Sequence, residues 1–174
     1  MKALIGLAGV AIAVLTAGGI KAALPRAPTG PDPSEGKATQ VRVTAVVDGD
    51  TLRVEDLGGR ELGRVRLLGI DAPEVAHPPA PEECYADQAT DLLVELAPVG
   101  STVQLVTDSD QPDRDRYDRL LRYVDHAGVD VAHELLARGA VRRYEAAQDL
   151  AREESYSAAA ADAQDADSGL RGTC

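Results

Sequence analysis

The chain has no phenylalanine and no tryptophan, and its five tyrosines are the only aromatic residues. The core must therefore be aliphatic, built from Val, Leu and Ala. Two cysteines and three histidines leave no Cys/His zinc cluster. His77, His126 and His133 have no ligand spacing and read as surface residues. Positive charge is scarce: 18 Lys+Arg stand against 29 Asp+Glu, net −11. The segment 41–145 repeats the imbalance, with 12 Arg against 21 Asp+Glu. This argues against a protein that holds nucleic acid by a broad basic surface. What is present is 44% hydrophobic residues over 174 positions, enough for one cored domain and a short extra segment.

That extra segment stands at the N-terminus. Lys2 precedes an uncharged apolar run from Ala3 to Ile20. A positive residue before such a run reads as an export signal, and the run is also just long enough to span a bilayer. Residues 1–23 are expected to be a signal peptide or a membrane anchor, with membrane attachment through residues 3–20 in the second case. Leu24–Thr39 carries Pro25, Pro28, Pro31 and Pro33 and reads as a stiff linker, so the folded domain is expected over residues 40–174. The chain is then secreted or anchored at the extracellular face of the membrane. In that oxidising setting Cys84 and Cys174 are expected to form a disulfide, the alternative being two free thiols.

Period-two patterning predicts strands at Gln40–Val47, Thr51–Val54 and Gly63–Ile70, with a Gly58-Gly59 hairpin between the second and third. Asp71-Ala72-Pro73-Glu74 ends the third, because Pro73 lacks a ladder donor. Tyr85, Ala89, Leu92, Leu93 and Leu96 fall at helical spacing, so a helix is predicted from Glu82 to Leu96. Two more strands follow at Thr102–Val106 and Arg119–Val124. They flank a loop with Asp108, Asp110, Asp113, Asp115 and Asp118, which lacks the Gly and terminal Glu of an EF-hand and reads as solvated. Asp130 is a predicted N-cap and Gly139 a predicted helix stop. A third helix is placed at Glu153–Asp165. The fold class is β-rich α+β: a five-stranded OB-type antiparallel barrel with about three attached helices.

Charged residues at strand ends can converge at a barrel mouth. Asp50 opens the second strand, Arg66 lies within the aliphatic third, Asp71 and Glu74 stand where it ends, and Arg119 opens the fifth. Two carboxylates can hold a hard cation through oxygen. Two guanidinium groups can clamp a phosphoryl group, and a further carboxylate can activate water. Spacing alone is equally met by solvated turns.

Four blocks alter that weighting. Val47-Asp48-Gly49-Asp50-Thr51-Leu52 is followed by Val65-Arg66-Leu67-Leu68-Gly69-Ile70-Asp71-Ala72-Pro73-Glu74. Then come Asp115-Arg116-Tyr117-Asp118-Arg119-Leu120 and Val131-Ala132-His133-Glu134-Leu135-Leu136-Ala137-Arg138-Gly139-Ala140. In order and spacing they resemble the thermonuclease family, the staphylococcal-nuclease-like domain, over about Gln40–Tyr144. The resemblance implies a calcium-dependent nuclease acting on DNA and/or RNA. It places the Ca2+ carboxylates at Asp50 and Asp71, a main-chain carbonyl ligand at Ala72, the general base at Glu74 and the phosphate clamps at Arg66 and Arg119. Arg116 and Tyr117 fall where nucleotide-contacting groups stand; no role is carried to Tyr144. A monomer is expected. The competing reading is a catalytically inactive OB-type binding module on the same scaffold.

Overall fold

A computed structural model describes residues 35–174. The signal or anchor reading of residues 1–23 and the linker as far as residue 34 lie outside the described residues. The linker's expected end at Thr39 is too late: β1 (Glu35–Asp48) already begins at Glu35. The extra length is held by pairing, since Glu35, Ala38 and Thr39 face Asp108, Val106 and Leu105 of β5 (Thr102–Asp108).

Alternation builds the barrel wall. Val41 and Val43 of β1, Leu52 and Val54 of β2 (Thr51–Asp56), and Val65 and Leu67 of β3 (Glu61–Leu67) are all buried, as two-residue periodicity requires. Val103 and Leu105 of β5 join them, with Tyr123 and Val124 of β6 (Leu120–His126). The strands pair in the order β3-β2-β1-β5-β6, and β3 also pairs with β6. The five strands thus close on themselves, which removes exposed sheet edges. The closing β3–β6 pairing is parallel, where an all-antiparallel barrel was expected. Its ends are joined by a long connection rather than a hairpin.

Two elements are shorter than the periodicity predicts. β3 ends at Leu67 and the chain resumes as β4 (Ile70–Asp71), because Gly69 between them turns at φ +77°. Helix α1 (Ala86–Leu96) starts four residues after Glu82. Tyr85 holds φ +78°, Cys84 is bonded to Cys174, and the N–H of Glu83 donates to the carbonyl of Glu74 at 2.9 Å. These constraints are incompatible with a helical turn there.

Helix α2 (Val131–Ala137) is capped as expected: Asp130 accepts from the His133 N–H at 3.1 Å. Asp130 also belongs to a two-residue strand, β7 (Val129–Asp130). Gly139 stops the helix at φ +66°. After β8 (Arg142–Arg143), which pairs with β4, comes α3 (Glu153–Asp165) as predicted, then a short α4 (Leu170–Thr173). The disulfide Cys84–Cys174 ties α4 to the entry of α1 across 90 residues of sequence, a closure worth about 4–5 kcal/mol in the chain-entropy treatment. No described helix is long and apolar enough to cross a membrane.

The acidic loop is only partly solvated. Asp108 is buried; it accepts from the Tyr123 hydroxyl at 2.6 Å and from the Ala151 N–H at 3.0 Å. A carboxylate so buried needs those donors.

Candidate active site

The β2–β3 ladder pairs Thr51 with Arg66, and the β3–β6 ladder pairs Arg66 with Leu121. The start of β2, the last turn of β3 and the start of β6 therefore lie side by side. That places Asp50, Arg66 and Arg119 at one end of the barrel. The Leu67 N–H donating to the Asp50 carbonyl at 2.9 Å locks the first two.

Gly49 allows the close approach that completes the group. A Cβ there would stand 2.8 Å from both the Ala72 and Ala89 methyl carbons. Without one, the Asp48–Asp50 turn sits against the Asp71–Ala72 segment, and Asp50 Oδ2 accepts from the Ala72 N–H at 2.9 Å. Asp48 Oδ1 in turn accepts from the Asp50 N–H at 3.0 Å.

Arg66 is the hub. One guanidinium nitrogen, Nη2, lies 3.0 Å from Asp50 Oδ2 and 2.9 Å from Asp71 Oδ1. The other, Nη1, donates to the carbonyls of Leu67 at 3.0 Å and Ile70 at 2.6 Å. Two carboxylates thus share one nitrogen of one cation. Burial of Asp50, only 6% exposed, pushes its pKa up to about 6, against the pull of Arg66 and with a further push from Asp48. Burial raises Asp71 as well, with Arg66 opposing and Asp50 adding to the rise. Both shifts mark a site short of positive charge.

Arg119 completes the mouth. Its Nη1 reaches Thr51 Oγ1 at 3.5 Å, and that hydroxyl donates to Asp50 Oδ1 at 2.9 Å. Asp115 aims it: Oδ2 accepts from Arg119 Nε at 2.7 Å, and Oδ1 accepts from the main-chain N–H groups of Arg119 and Tyr117, both at 2.9 Å. Partial burial works against the Asp115 carboxylate, yet these hydrogen bonds hold its pKa below the usual range. Arg119 Nη2 has no protein acceptor among the described residues.

Two exposed tyrosines flank the pair of arginines. Tyr144, 46% exposed, lies under Arg66 with 5.8 Å from Cζ to the ring centre. Tyr117, 55% exposed, lies under Arg119 at 5.5 Å and under Arg116 at 4.7 Å. Arg116 also donates to the Tyr117 hydroxyl at 2.6 Å. A cation beside an exposed aromatic face is a surface suited to an anionic ligand that carries a ring.

Comparison with known proteins gives the family of the chain. Residues 64–171 match the staphylococcal nuclease homologue family. The chain belongs to that family. It is 32% identical over 102 residues to a thermonuclease of Staphylococcus hyicus, covering 59% of this chain and 57% of that protein. It is 34% identical over 118 residues to a thermonuclease of Staphylococcus intermedius, covering 63% and 67%. With the endonuclease YncB of Bacillus subtilis it shares 35% identity over 107 residues, covering 61% and 48%. The chain thus spans only about half to two thirds of the length of these relatives.

Within this nuclease-family domain, contacts bring together Asp50, Arg66, Asp71 and Ala72, with Arg119 one hydroxyl away. Glu74 is exposed on the loop that follows Asp71. Its main chain is fixed by Glu83, whose Oε2 accepts from the Glu74 N–H at 3.2 Å. Its carboxylate makes no hydrogen bond to these five among the described residues. Arg116 and Tyr117 lie beside Arg119 on the rim. The described residues hold no group of three or more His, Cys, Asp or Glu side chains arranged around a metal. Two carboxylates held side by side on one guanidinium are a partial oxygen set for a hard cation, one that leaves coordination positions to main-chain oxygen, water or substrate. The charge deficit around Asp50 and Asp71 fits such an ion.

Four residues of the site go beyond the sequence expectation: Asp48, Thr51, Asp115 and Tyr144. Three stand inside the quoted blocks, and Asp115 had a legible signal, an acid four residues before an arginine across a turn. Tyr144 had none, because it reaches Arg66 through the β4–β8 pairing and its own N–H bond to the Gly69 carbonyl at 3.0 Å.

Proposed function

We propose that the chain is a calcium-dependent nuclease that hydrolyses phosphodiester bonds of DNA and/or RNA outside the cell. The observation that carries this reading is the convergence of Asp50 and Asp71 on Arg66, with Arg119 beside them, at one open end of the barrel. Nuclease names among the relatives support it. The apolar run at residues 3–20 and the Cys84–Cys174 bond support work in an oxidising compartment, secreted or attached to the membrane.

Asp50 and Asp71, with the Ala72 carbonyl, are the residues that would hold the Ca2+. Calcium, when bound, supplies fixed positive charge to a phosphoryl oxygen and balances the two carboxylates. Arg66 sits beside both carboxylates, so its guanidinium meets a phosphodiester brought to them. Arg119 offers its unengaged Nη2 from the other side. Attack by water forms one P–O bond and breaks the ester bond to the leaving oxygen, which takes up a proton from solvent. Negative charge grows on the oxygens between; the unengaged Nη2 of Arg119 meets it in place, and Arg66 meets it by exchanging a carboxylate for a phosphoryl oxygen once Asp50 and Asp71 hold the cation. Glu74 is the acceptor for the water's proton, and its exposed loop position leaves its carboxylate open to solvent.

The test is direct. Full-length protein is incubated with DNA and with RNA in calcium, then with excess chelator. Cleavage in calcium that stops on chelation is the expected result. Retention of nucleic acid without cleavage in either buffer would overturn this reading in favour of a binding module.

A further inference from the structure

Arginine in this acidic domain is mostly spent on ion pairs. Ten of the fourteen arginines in residues 35–174 have a carboxylate within 4.0 Å. Arg64, Arg116, Arg142 and Arg171 have none among the described residues. Arg64 is on the outer face of β3 and Arg116 stacks on Tyr117. The other two, far apart in sequence, line the same cavity.

That cavity has a volume of about 660 Å³, within the size range of about 300–1,000 Å³ usual for ligand sites. It lies among β4, β8, α2, α3 and α4. Asp71, the proposed cation ligand, is part of its wall, and so are Arg142, Arg171, Ser157, Gln164 and Glu145. Asp71 and Arg142 are partners in the β4–β8 ladder, so their Cα atoms are about 4.5–5.5 Å apart. Arg171 sits on α4, which the Cys84–Cys174 bond holds to the body of the domain. The cavity therefore adjoins the proposed cleavage site and offers two arginines free of ion pairs, in a wall that also holds the acids Asp71 and Glu145 and the neutral side chains of Ser157 and Gln164.

We propose that this cavity is an extended substrate subsite, in which Arg142 and Arg171 hold phosphates of a single-stranded polynucleotide flanking the bond to be cut. The proposal rests on the nuclease reading and specifies its substrate as a chain rather than a dinucleotide. A domain this acidic gains little from long-range attraction, so phosphate contacts beyond the cleavage site fall to arginines that no carboxylate has neutralised. A single strand is flexible enough to follow the wall from Asp71 past Arg142 toward Arg171.

The experiment compares the full chain with the Arg142→Gln/Arg171→Gln and Arg142→Lys/Arg171→Lys double variants, each checked for an unchanged melting temperature. The first arm measures binding of a labelled oligothymidylate of twelve residues in chelator, over a range of salt. The Gln pair should bind about tenfold more weakly, and its salt dependence should flatten by about 1.4 in log–log slope, two single-strand phosphate contacts at roughly 0.7 each. The Lys pair should recover most of both. The second arm measures the ratio of kcat/KM for the twelve-residue substrate to that for a dinucleotide, which should fall about tenfold in the Gln pair. A folded Gln pair with the wild-type affinity, slope and length ratio would overturn the subsite. Competition by inorganic phosphate or dinucleotide as strong as that by the oligonucleotide would overturn the polynucleotide assignment in favour of a small-anion pocket. Should the wild-type protein cleave nothing, the nuclease reading fails, while the binding arm still decides the subsite by itself.

Discussion

The domain is organised around two arginines whose surroundings differ in one respect. Arg152 stands where the ends of β1, β5, β6 and α3 meet. Its Nε bonds Glu35 at 2.6 Å, its Nη1 bonds Asp125 at 2.6 Å and Asp130 at 2.9 Å, and its Nη2 bonds Asp125 at 3.0 Å. Its Cζ lies 4.5 Å from the centre of the Tyr123 ring, and Tyr156 donates to Asp130 at 3.1 Å. Every carboxylate there has a donor suited to it, and the ionised arginine is held well above its ordinary pKa despite the cost of burial. Around Arg66 two carboxylates compete for one nitrogen, and both are pushed toward protonation. The first cluster is electrostatically complete and ties distant strands together. The second is one positive charge short, which is what the proposed Ca2+ site requires.

The largest effect is expected where the complete cluster is broken. Arg152→Met would leave Glu35, Asp125 and Asp130 facing one another without a cation in a half-buried space. Removing one partner of a buried charge group costs about 3–5 kcal/mol, and the net stability of a domain is only about 5–15 kcal/mol. Urea denaturation should show that loss. A change under about 1 kcal/mol would mean that solvent already screens the cluster, as at surface pairs, and the contrast with Arg66 would lose one of its sides.

Next in size is Arg119→Lys. The lysine keeps the charge but lacks the planar fork. If Arg119 acts on charge that grows during attack, kcat should fall about 10²–10³-fold, with a smaller change in KM. Steady-state kinetics at saturating calcium would show it, and near-wild-type turnover would reduce Arg119 to a surface ion pair with Asp115.

The two clusters also predict opposite signs for removal of an acid. In Arg152's cluster, Asp125→Asn should lower stability. In Arg66's cluster, without a metal ion, Asp50→Asn should raise it. Because Asp50 is held at about pH 6 in the folded chain, above its unfolded value, its contribution is fully present at low pH. It is lost as pH rises through 6. At pH 7 in chelator, relieving the buried charge should therefore stabilise the fold by about 1–3 kcal/mol. The melting temperature of Asp50→Asn should exceed that of the wild type at pH 7, and the gap should narrow below pH 6 and close only below the ordinary aspartate value of 3.8. A lower melting temperature at pH 7 would show that Arg66 already satisfies both acids.

The sequence disclosed the site better than the Arg152 cluster. Asp50, Arg66, Asp71, Glu74 and Arg119 sit in short blocks whose order and spacing are legible residue by residue, and strand alternation was enough to predict the barrel. Arg152 offers no such signal. It follows Ala151 in a turn, and its partners lie 22, 27 and 117 residues away. Nothing local announces a contact assembled only by the closed barrel. The same holds for the early start of β1, which depends on pairing with β5 rather than on its own proline-flanked sequence. The delayed start of α1 depends on a disulfide and on the Glu74–Glu83 pairing, both invisible to helical periodicity.

The smallest effect falls on Asp115, which combines the two situations. Like the acids around Arg152, its carboxylate is fully engaged, with hydrogen bonds to Arg119 Nε and to the N–H groups of Arg119 and Tyr117. Like those around Arg66, it belongs to the candidate site, because it fixes the guanidinium whose Nη1 points to Thr51. It is a positioning residue. Asp115→Asn keeps one oxygen for the main-chain donors but presents an amide N–H to Arg119 Nε, so the turn should persist while the arginine loses its anchor. We expect a fall in kcat of about tenfold, less than for loss of Arg119 itself, because the displaced guanidinium still reaches the phosphate part of the time. KM should change little and the melting temperature by only a few degrees. Asp115→Glu should restore part of the rate, since it returns a carboxylate at a longer reach. If instead stability fell along with rate and the Glu variant rescued neither, Asp115 would belong with the structural acids around Arg152, and Arg119 would owe its position to Thr51 and Tyr117 alone.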